Sequence, residues 1–475
     1  MKKLLIPIVA AFFLYSCDIA SFDDNLNQNP NFPSEFSAPQ LMANAMLSLP
    51  ELSSSPQGEY MAQYLSKTDY VDNSLYPAGG TSFYWLYEEP LINLQKVIDN
   101  SEKANEVAVS KILKAYYFWH ITDRWGPVPF SEALQGTEDF TPAYDKQAAI
   151  YESLFAMLEE ANQMIEAGEG LENDIMYDGD MQKWVRFSNT LRLLMALRLS
   201  EVDAAKAEAE FNQALDAGIM ESNEDNFVFQ HFANANNQNF WYGRIIEDGV
   251  RWWAVSEGMM QLMKPVNDPR LSVYADTTVA DSVDVNPDPD AAQYEPIDTY
   301  VGLPFGTTGD IVLNQYSLLG KDIHAQDAPV YLVTYAQVLF ARAEAAVRGW
   351  TTENAETLYN EAVTASIEQW TGDTAGTTAF LGQAGVEYNP ASQAEAVEQI
   401  ATQRYVHLFM NGYEAWAEYR RTGYPDIMAN PLGREVPLRQ SYPADEELNN
   451  TENYNEAVGW LENGNTLYSP LWWDK

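Results

Sequence analysis

Several aromatic side chains lie in segments of this sequence that show neither helical nor strand periodicity. The 475 residues include 13 Trp, 28 Tyr and 20 Phe, so aromatic residues make up 13% of the chain. A ring that fills no helix face can stack on the C–H face of a sugar, while nearby Asn, Gln and Asp side chains bond the sugar hydroxyls. The sequence therefore predicts an aromatic platform for carbohydrate. The residues predicted to form it are Tyr76, Phe83, Trp85, Trp241, Tyr242 and Tyr300.

These six rings fall in three stretches whose composition is typical of loops. The first three surround a Pro-Ala-Gly-Gly turn at 77–80, the next two follow an Asn-rich run at 234–239, and the last lies in a proline-rich segment. For each ring, packing beneath a long loop is the alternative, and the sequence alone leaves it open.

Patterns of the common catalytic sites are absent from the sequence. The four histidines are scattered at 120, 231, 324 and 407, and no HExxH, GxSxG or glycine-rich phosphate loop occurs. His120 lies beside Trp119 on an aromatic helix face, which predicts a packed, hydrogen-bonded histidine. With 69 Asp and Glu residues, no spacing of two carboxylates is informative, so a glycoside hydrolase stays open as an alternative. We predict a binding protein that is not an enzyme.

An acidic loop could hold calcium, which takes about six to eight oxygen ligands. Its aspartates are Asp276, Asp281, Asp284, Asp288 and Asp290. Their spacing does not match an EF-hand and the loop lacks its glycine, so a solvated loop is favoured over a structural calcium site. We predict no cofactor and no metal site.

The charge of the chain restricts its partners. The formal net charge is −42, from 27 Lys and Arg against 69 Asp and Glu. Binding of nucleic acid needs clustered basic residues, so nucleic acid is excluded as a partner. Neutral or cationic ligands are favoured. A polyanionic glycan would need a local basic patch, and none is visible in the sequence.

The first residues have the pattern of a bacterial lipoprotein signal. Lys2 and Lys3 precede an apolar run at 4–15 that is too short to span a bilayer, and Ser16 precedes the only cysteine of the chain, Cys17. We predict a signal peptide at 1–16, lipidation of Cys17, and an acidic and polar tether at 17–38. A plain secretory peptide is the alternative.

Apolar residues at helical spacing recur along most of the chain, which predicts an all-α, mostly helical fold. Pairs of helices with short connections indicate antiparallel helix hairpins, and the unit at 329–370 has the length of a tetratricopeptide-type repeat. Helices are predicted at 38–49, closed by Pro50, and at 91–100, 107–120, 151–168, 183–199 and 204–217, with helical order returning at Pro329.

Residues 222–327 differ from the rest of the predicted domain at 39–475. Their prolines exclude long helices, while a short β-like run occurs at 311–313. A segment this long without regular structure is usually functional, so we interpret it as a ligand-binding insertion.

The segment 401–425 predicts two helices separated by Asn411 and Gly412, the second closed by Gly423 and Pro425. Its aromatic and basic residues are interpreted as scaffold, with rings stacking between helices and arginines pairing with carboxylates. They are Arg404, Tyr405, Phe409, Tyr413, Trp416, Arg420 and Arg421.

Several segments, in this order along nearly the whole chain, resemble the SusD/RagB family of outer-membrane nutrient-binding lipoproteins. Besides Cys17 they are KILKAYYFWHITDRWGPVPF at 111–130, RFSNTLRLLMALRLS at 186–200, AEAAVRGW at 343–350, QRYVHLFMNGYEAWAEYRRTGYP at 403–425 and the WWDK terminus.

The resemblance implies four tetratricopeptide-like helix pairs in a right-handed superhelical scaffold, with an irregular region packed on it. It implies a surface-exposed lid over a SusC-like TonB-dependent transporter, which the helical face would contact. In carbohydrate-binding members the glycan lies on exposed aromatics from a loop before an early helix and from the irregular region. Those regions correspond here roughly to 76–85 and 230–320.

Residues and resemblance together predict a glycan-binding lipoprotein on the cell surface, anchored in the outer membrane through the lipid on Cys17. It would capture an oligosaccharide, with a β-glucan such as laminarin as the suggested ligand, and deliver it to the partner transporter. Three alternatives stay open: a peptide-binding lipoprotein of the same fold, a surface glycoside hydrolase, and a scaffold that binds no small molecule.

Overall fold

Helices form most of the structure, a computed structural model that describes residues 37–136, 139–278 and 299–474. The α-helices are α1 (Ala38–Leu47), α2 (Pro50–Ser53), α3 (Pro56–Met61), α4 (Tyr84–Leu86), α5 (Ile92–Asn100), α6 (Ala104–Trp125), α7 (Gln147–Met164), α8 (Met181–Arg198), α9 (Ala204–Ala217), α10 (Phe240–Tyr242), α11 (Glu257–Met263), α12 (Leu271–Tyr274), α13 (Tyr335–Arg348), α14 (Ala355–Thr371), α15 (Thr377–Leu381), α16 (Gln393–His407), α17 (Gly412–Thr422), α18 (Ala444–Asn449) and α19 (Thr451–Gly459). In the described part of the chain, no helix combines the length and the apolarity that a membrane crossing requires.

Six short strands form antiparallel pairs among the described residues: β1 with β5, β2 with β3, and β4 with β6. The strands are β1 (Leu65–Lys67), β2 (Val128–Pro129), β3 (Tyr144–Asp145), β4 (Phe227–Phe229), β5 (Trp253–Val255) and β6 (Val330–Val333). Each pair joins segments far apart in the sequence or closes a long loop.

The long helices pack as sequential pairs: α6 with α7, α8 with α9, α13 with α14, and α16 with α17. Contacts between residues group Pro39–Lys475 into one compact unit. The predicted mostly helical class, built from paired helices, is confirmed.

Two predicted helix boundaries were wrong. Pro50 does not close α1, which ends at Leu47, but occupies the first turn of α2, where its missing N–H costs nothing. Helical order also does not return at Pro329, because Val330–Val333 is strand β6. Helix α13 begins only after Thr334, whose side chain accepts from Gln337 N while the Gln337 side chain accepts from Thr334 N.

The predicted insertion contains no long helix in its described residues, as its prolines predicted. Its helices there are at most seven residues long, as in Glu257–Met263. The β-like run at 311–313 is not a strand, since Leu313–Gln315 forms a single 3-10 turn.

The segment 401–425 forms the end of α16 and all of α17, with Gly423 in the left-handed conformation at φ 77°. Gly412 begins α17 against α3, and a Cβ there would lie 2.2 Å from the carbonyl carbon of Gly58. A side chain at this position would force the two helices apart. The predicted break before Gly412 and the helix end at Gly423 are confirmed.

Six charged side chains on four helices meet in the interior, and each is at most 7% exposed. We call them the buried charge network. They are Arg198 of α8, Glu344 of α13, Arg404 of α16, and Glu414, Glu418 and Arg421 of α17. Three positive and three negative charges make the set neutral as a whole.

Two arginines hold the three carboxylates of this network together. Arg421 Nη2 lies 2.6 Å from Glu344 Oε2 and 2.6 Å from Glu418 Oε2. Arg198 Nη1 and Nη2 lie 2.6 Å from Glu418 Oε1 and from Glu414 Oε2. The scaffold interpretation of Arg421 is therefore confirmed.

Burial and charge act in opposite directions on the two glutamates of α17. Burial alone would raise the pKa of Glu418, but Arg404, Arg421 and Arg198 together lower it far below its ordinary value. For Glu414, burial outweighs the attraction of Arg198 and raises the pKa. Glu418 is therefore the centre on which the arginines converge.

Removal of one cation from the network should destabilise the fold strongly. In the Arg421→Met variant, Glu344 and Glu418 would stay buried with less compensation, and we expect a loss of about 3–5 kcal/mol in unfolding free energy. Urea denaturation followed by circular dichroism measures it. Arg244→Met, which breaks the exposed pair with Asp248, should cost under about 1 kcal/mol. Equal losses in the two variants would contradict the role of the network.

A buried histidine should make stability depend on pH. Thr334 Oγ1 and Ser366 Oγ contact the two ring nitrogens of His407 at 2.6 and 2.9 Å, and burial, with Arg270 and Arg404, lowers its pKa to about 3. Below pH about 6.5 the His407 side chain binds a proton in the unfolded chain but not in the folded protein. The unfolding free energy therefore falls as the pH drops from about 6.5 to about 3.

Between pH 7 and pH 5 we expect His407 to account for about 2 kcal/mol of lost unfolding free energy. The loss in His407→Gln should therefore be smaller than in the wild type by about that amount, measured by urea titration at both pH values. An identical pH dependence would mean that the ring is already charged in the folded state.

Candidate functional site

Three of the six predicted platform rings belong to the core. Tyr76, Phe83 and Trp241 are 3%, 2% and 0% exposed. The Tyr76 ring stacks on Phe305 with centroids 5.9 Å apart, and its hydroxyl accepts from Gln63 Nε2 at 2.8 Å. Burial of these rings contradicts the prediction that they offer a face to a sugar, and packing beneath loops, the alternative, is what the structure has.

The other two buried rings have their own partners. Trp241 Nε1 donates to Ser54 Oγ at 2.7 Å, and the Trp241 ring meets Trp253 edge-on at 5.1 Å. Phe83 meets Trp125 edge-on at 5.6 Å. All faces of these rings are taken up by protein, which is what their burial requires.

Trp85, Tyr242 and Tyr300 are half-buried and remain candidates for ligand contact. Tyr300 packs against the hydrophobic core that contains Tyr76 and Trp241, and burial, with nearby Asp276, raises its pKa. Trp85 is outside that core. The six predicted residues therefore do not form one continuous platform.

A different pair of rings is open to solvent. Tyr70 is 62% exposed, and Trp252 is half-buried beside it. Their ring centroids are 5.1 Å apart with an angle of 68° between the planes. We call these two residues the Tyr70–Trp252 pair. The two rings therefore pack edge-on against each other.

Strand pairing places these two residues together although they are far apart in the sequence. Lys67 of β1 lies opposite Trp253 of β5, and one residue further Thr68 N donates to Trp252 O at 2.9 Å. Side chains alternate between faces along a strand. Trp253 is in the core at 4% exposure, while Trp252, just before the strand, is half-buried and packs against the edge of that core.

The backbone of Tyr70 is in the left-handed region at φ 49°, which is uncommon for an aromatic residue. Its N–H donates to Asp69 Oδ1 at 2.8 Å, and a 3-10 turn begins at the next residue. This conformation turns the ring outward from the end of β1. Backbone strain of this kind is often found at functional sites.

Two cations lie against Trp252. Lys67 Nζ is 4.7 Å from the Trp252 ring centroid and 5.8 Å from that of Tyr70, while the Arg244 guanidinium is 5.7 Å from Trp252. Arg244 also pairs with Asp248. The pair of rings thus has positive charge behind it, on a chain of net charge −42.

The sequence carried two signals for this site that composition alone did not reveal. Trp252 and Trp253 are adjacent, and neighbouring side chains of an extended segment point to opposite faces. Tyr70 lies in a run of polar residues at 67–74 with no apolar periodicity. Neither signal identifies the other ring as its partner.

Among the described residues, no geometry typical of a catalytic centre surrounds the histidines or Asp276. The packing of His120 is confirmed: its ring meets Tyr116 edge-on at 4.6 Å, and burial, with Arg124 and Arg198, lowers its pKa to about 3. Asp276 Oδ1 accepts from Lys321 N at 3.1 Å. Over the ranges that the structure describes, no group of three or more His, Cys, Asp or Glu is placed to hold a metal ion.

Several predictions lie outside the described residues. They are the signal peptide at 1–16, the lipidation of Cys17, most of the tether at 17–38, and the remaining acidic-loop residues Asp281, Asp284, Asp288 and Asp290. They stay predictions from the sequence.

Comparison with known proteins agrees over almost the whole chain. The profile of the SusD-like family, described as starch-binding and associating with the outer membrane, matches residues 30–443. A search of the curated proteins finds no match.

Solved structures share the fold. A chitin-binding protein, 29% identical, covers 92% of this chain and 100% of its own length with a TM-score of 0.79. A SusD homologue from Bacteroides fragilis, 26% identical, covers 93% and 100% with a TM-score of 0.79. A chitin-binding SusD homologue from Flavobacterium johnsoniae, 26% identical, covers 92% and 98% with a TM-score of 0.77.

Substitution should separate core rings from exposed ones. Trp241→Ala removes a fully buried ring and a hydrogen bond, so we expect it to lower the unfolding free energy by about 3–5 kcal/mol. Tyr70→Ala removes a mostly exposed ring and should change it by under about 1 kcal/mol. Urea unfolding of both variants measures this. A large loss in Tyr70→Ala would show that its ring supports the core.

Proposed function

The chain belongs to the SusD-like family, and from this premise we propose that it captures an oligosaccharide on the Tyr70–Trp252 pair and delivers it to a TonB-dependent outer-membrane transporter. The observation that carries the proposal is the 62% exposure of Tyr70 beside the half-buried Trp252.

The chemistry of the surroundings fits a sugar. The C–H face of a pyranose ring would stack on Tyr70, with Trp252 along its edge, in the manner of aromatic contacts with small ligands. Asp69, Asp72 and Asn73 are exposed in the same short loop and offer acceptors and donors for hydroxyl groups. Trp85, Tyr242 and Tyr300 are proposed as additional contacts for a longer chain.

The relatives support the ligand class without naming the ligand. Two of the similar structures are chitin-binding proteins, and the family is described as starch-binding. Chitin and starch are neutral or weakly charged polysaccharides. The excess of acidic residues in this chain favours the same class, and laminarin, a neutral β-glucan, is the first candidate that charge alone suggests.

Anchoring and transfer complete the proposal. Lipid on Cys17 would hold the protein in the outer membrane, facing outward, with a SusC-like transporter as its partner. The paired helices would contact that transporter, which leaves the loops with the Tyr70–Trp252 pair for the glycan. The family description, association with the outer membrane, supports this arrangement.

The function is tested by binding to a panel of laminari-, chito- and malto-oligosaccharides with the full chain, using calorimetry. Tyr70→Ala and Trp252→Ala should each weaken binding about tenfold, because each removes one stacking surface. Phe140→Ala is the matched control, since its ring is 77% exposed outside the site, and it should bind like the wild type.

Three outcomes would contradict parts of the proposal. Wild-type affinity in both site variants would place the glycan elsewhere on the surface. Absence of binding across the whole panel would overturn glycan capture. Release of new reducing ends during incubation would show a glycoside hydrolase, so the same samples are assayed for them.

A further inference from the structure

Lys67 carries a buried ammonium group that has no carboxylate or hydrogen-bonding partner among the described residues. It is 4% exposed, which is unusual for lysine. Among the described residues, its Nζ contacts are the two aromatic rings, and it takes part in no ion pair or hydrogen bond. Buried lone charges are costly, so proteins rarely keep one without a use for it.

Other buried cations of this chain have ion-pair or hydrogen-bond partners, and Arg439, for example, donates to Trp125 O. Arg270 Nη2 lies 2.6 Å from Asp268 Oδ2, and Arg421 is held by Glu344 and Glu418. Burial lowers the pKa of Lys67, although Asp69 opposes the effect. Among the described residues, Lys67 Nζ thus differs from these cations in having neither an ion pair nor a hydrogen bond.

The position of Lys67 directs it to the ligand site. It is the last residue of β1, three residues before Tyr70, and its Nζ lies 4.7 Å from the Trp252 ring centroid. The ammonium therefore lies beside the two rings on which a sugar would stack. A carboxylate on that sugar would meet a cation without a competing anion, and such a charge-assisted bond is stronger than a neutral one.

The supply of positive charge at the site is limited. Arg244 is the second cation against Trp252, but Asp248 already neutralises it. Beyond the site, the net charge of −42 repels a chain that carries an anion on every unit. The site thus has one cation available to a carboxylate, and the acidic surface around the site disfavours a polyanion.

We propose that the Tyr70–Trp252 pair binds a glycan whose chain is mostly neutral and carries isolated uronic acid units, with one carboxylate against the Lys67 ammonium. The proposal rests on glycan capture at this site and adds the charge of one sugar unit to it. The lysine and the two rings meet only through the pairing of β1 with β5, so the sequence alone does not bring them together.

The test compares matched ligands on the full chain by calorimetry. The probes are laminari- and xylo-oligosaccharides of equal length, each without a uronic acid, with one glucuronic acid unit, and with that unit as its methyl ester. We expect the acid form to bind at least about tenfold tighter than the ester, since the ester keeps the shape and loses the charge.

Variants of Lys67 assign this preference to the ammonium. Lys67→Met should bind the acid and the ester with equal affinity, whereas Phe140→Ala, outside the site, should keep the preference of the wild type. Lys67→Arg should keep part of the preference. Thermal unfolding of Lys67→Met should occur at the same or a higher temperature, because the substitution removes an unpaired buried charge.

The outcomes separate this proposal from the function on which it rests. Equal affinity of the wild type for acid and ester, or a preference that persists in Lys67→Met, overturns the uronic acid site and leaves glycan capture standing. Absence of binding to every oligosaccharide overturns both. A parallel peptide with a free or amidated carboxyl end completes the set: discrimination there, without glycan binding, would identify a peptide-binding protein.

Discussion

A buried charge needs its partners beside it, because each buried charge left unpaired lowers the unfolding free energy by several kcal/mol. In this protein the requirement joins all four helix pairs. Arg198 of the second pair reaches Asp123 of the first at 3.2 Å and Glu418 of the fourth at 2.6 Å, while Arg421 reaches Glu344 of the third. The helices can satisfy these charges only in one mutual arrangement. Apolar packing alone would tolerate several.

The same helix that contributes Arg404 to the network also fixes the strand that carries the ligand site. Tyr405 Oη donates to Ala62 O at 2.6 Å, and Tyr64 Oη donates to Tyr405 O. Strand β1 begins at Leu65, directly after Tyr64, and ends at Lys67. Two reciprocal bonds thus connect the rigid interior to the surface where Tyr70 is presented.

The helices and their pairing could be predicted from the sequence because their signals are local. Apolar spacing, capping residues and glycines act over a few residues, and Gly412 and Gly423 bound α17 as their types indicate. Short strands gave no such signal. The four residues Val330–Val333 are read as a strand only once Phe227–Phe229 is seen beside them.

The candidate site was harder to predict for the same reason. Whether Tyr76 is a platform or a core residue depends on Phe305, which lies more than two hundred positions away. Tyr70 and Trp252 become neighbours through two strands of three residues each. Residue type predicted an aromatic site, which stays a prediction, and distance in the sequence concealed which rings lie together at the surface.

A lone positive charge beneath an acidic surface makes recognition depend on ionic strength in an unusual direction. The field of the whole surface acts over the Debye length, about 10 Å at 0.1 M salt and about 3 Å at 1 M. Salt therefore removes the long-range repulsion of an anionic sugar before it weakens a bond at contact distance. Association of the anionic sugar with the protein would become faster, while its rate of dissociation would change less. In saline surroundings, such a protein would take up a charged chain more readily than in fresh water.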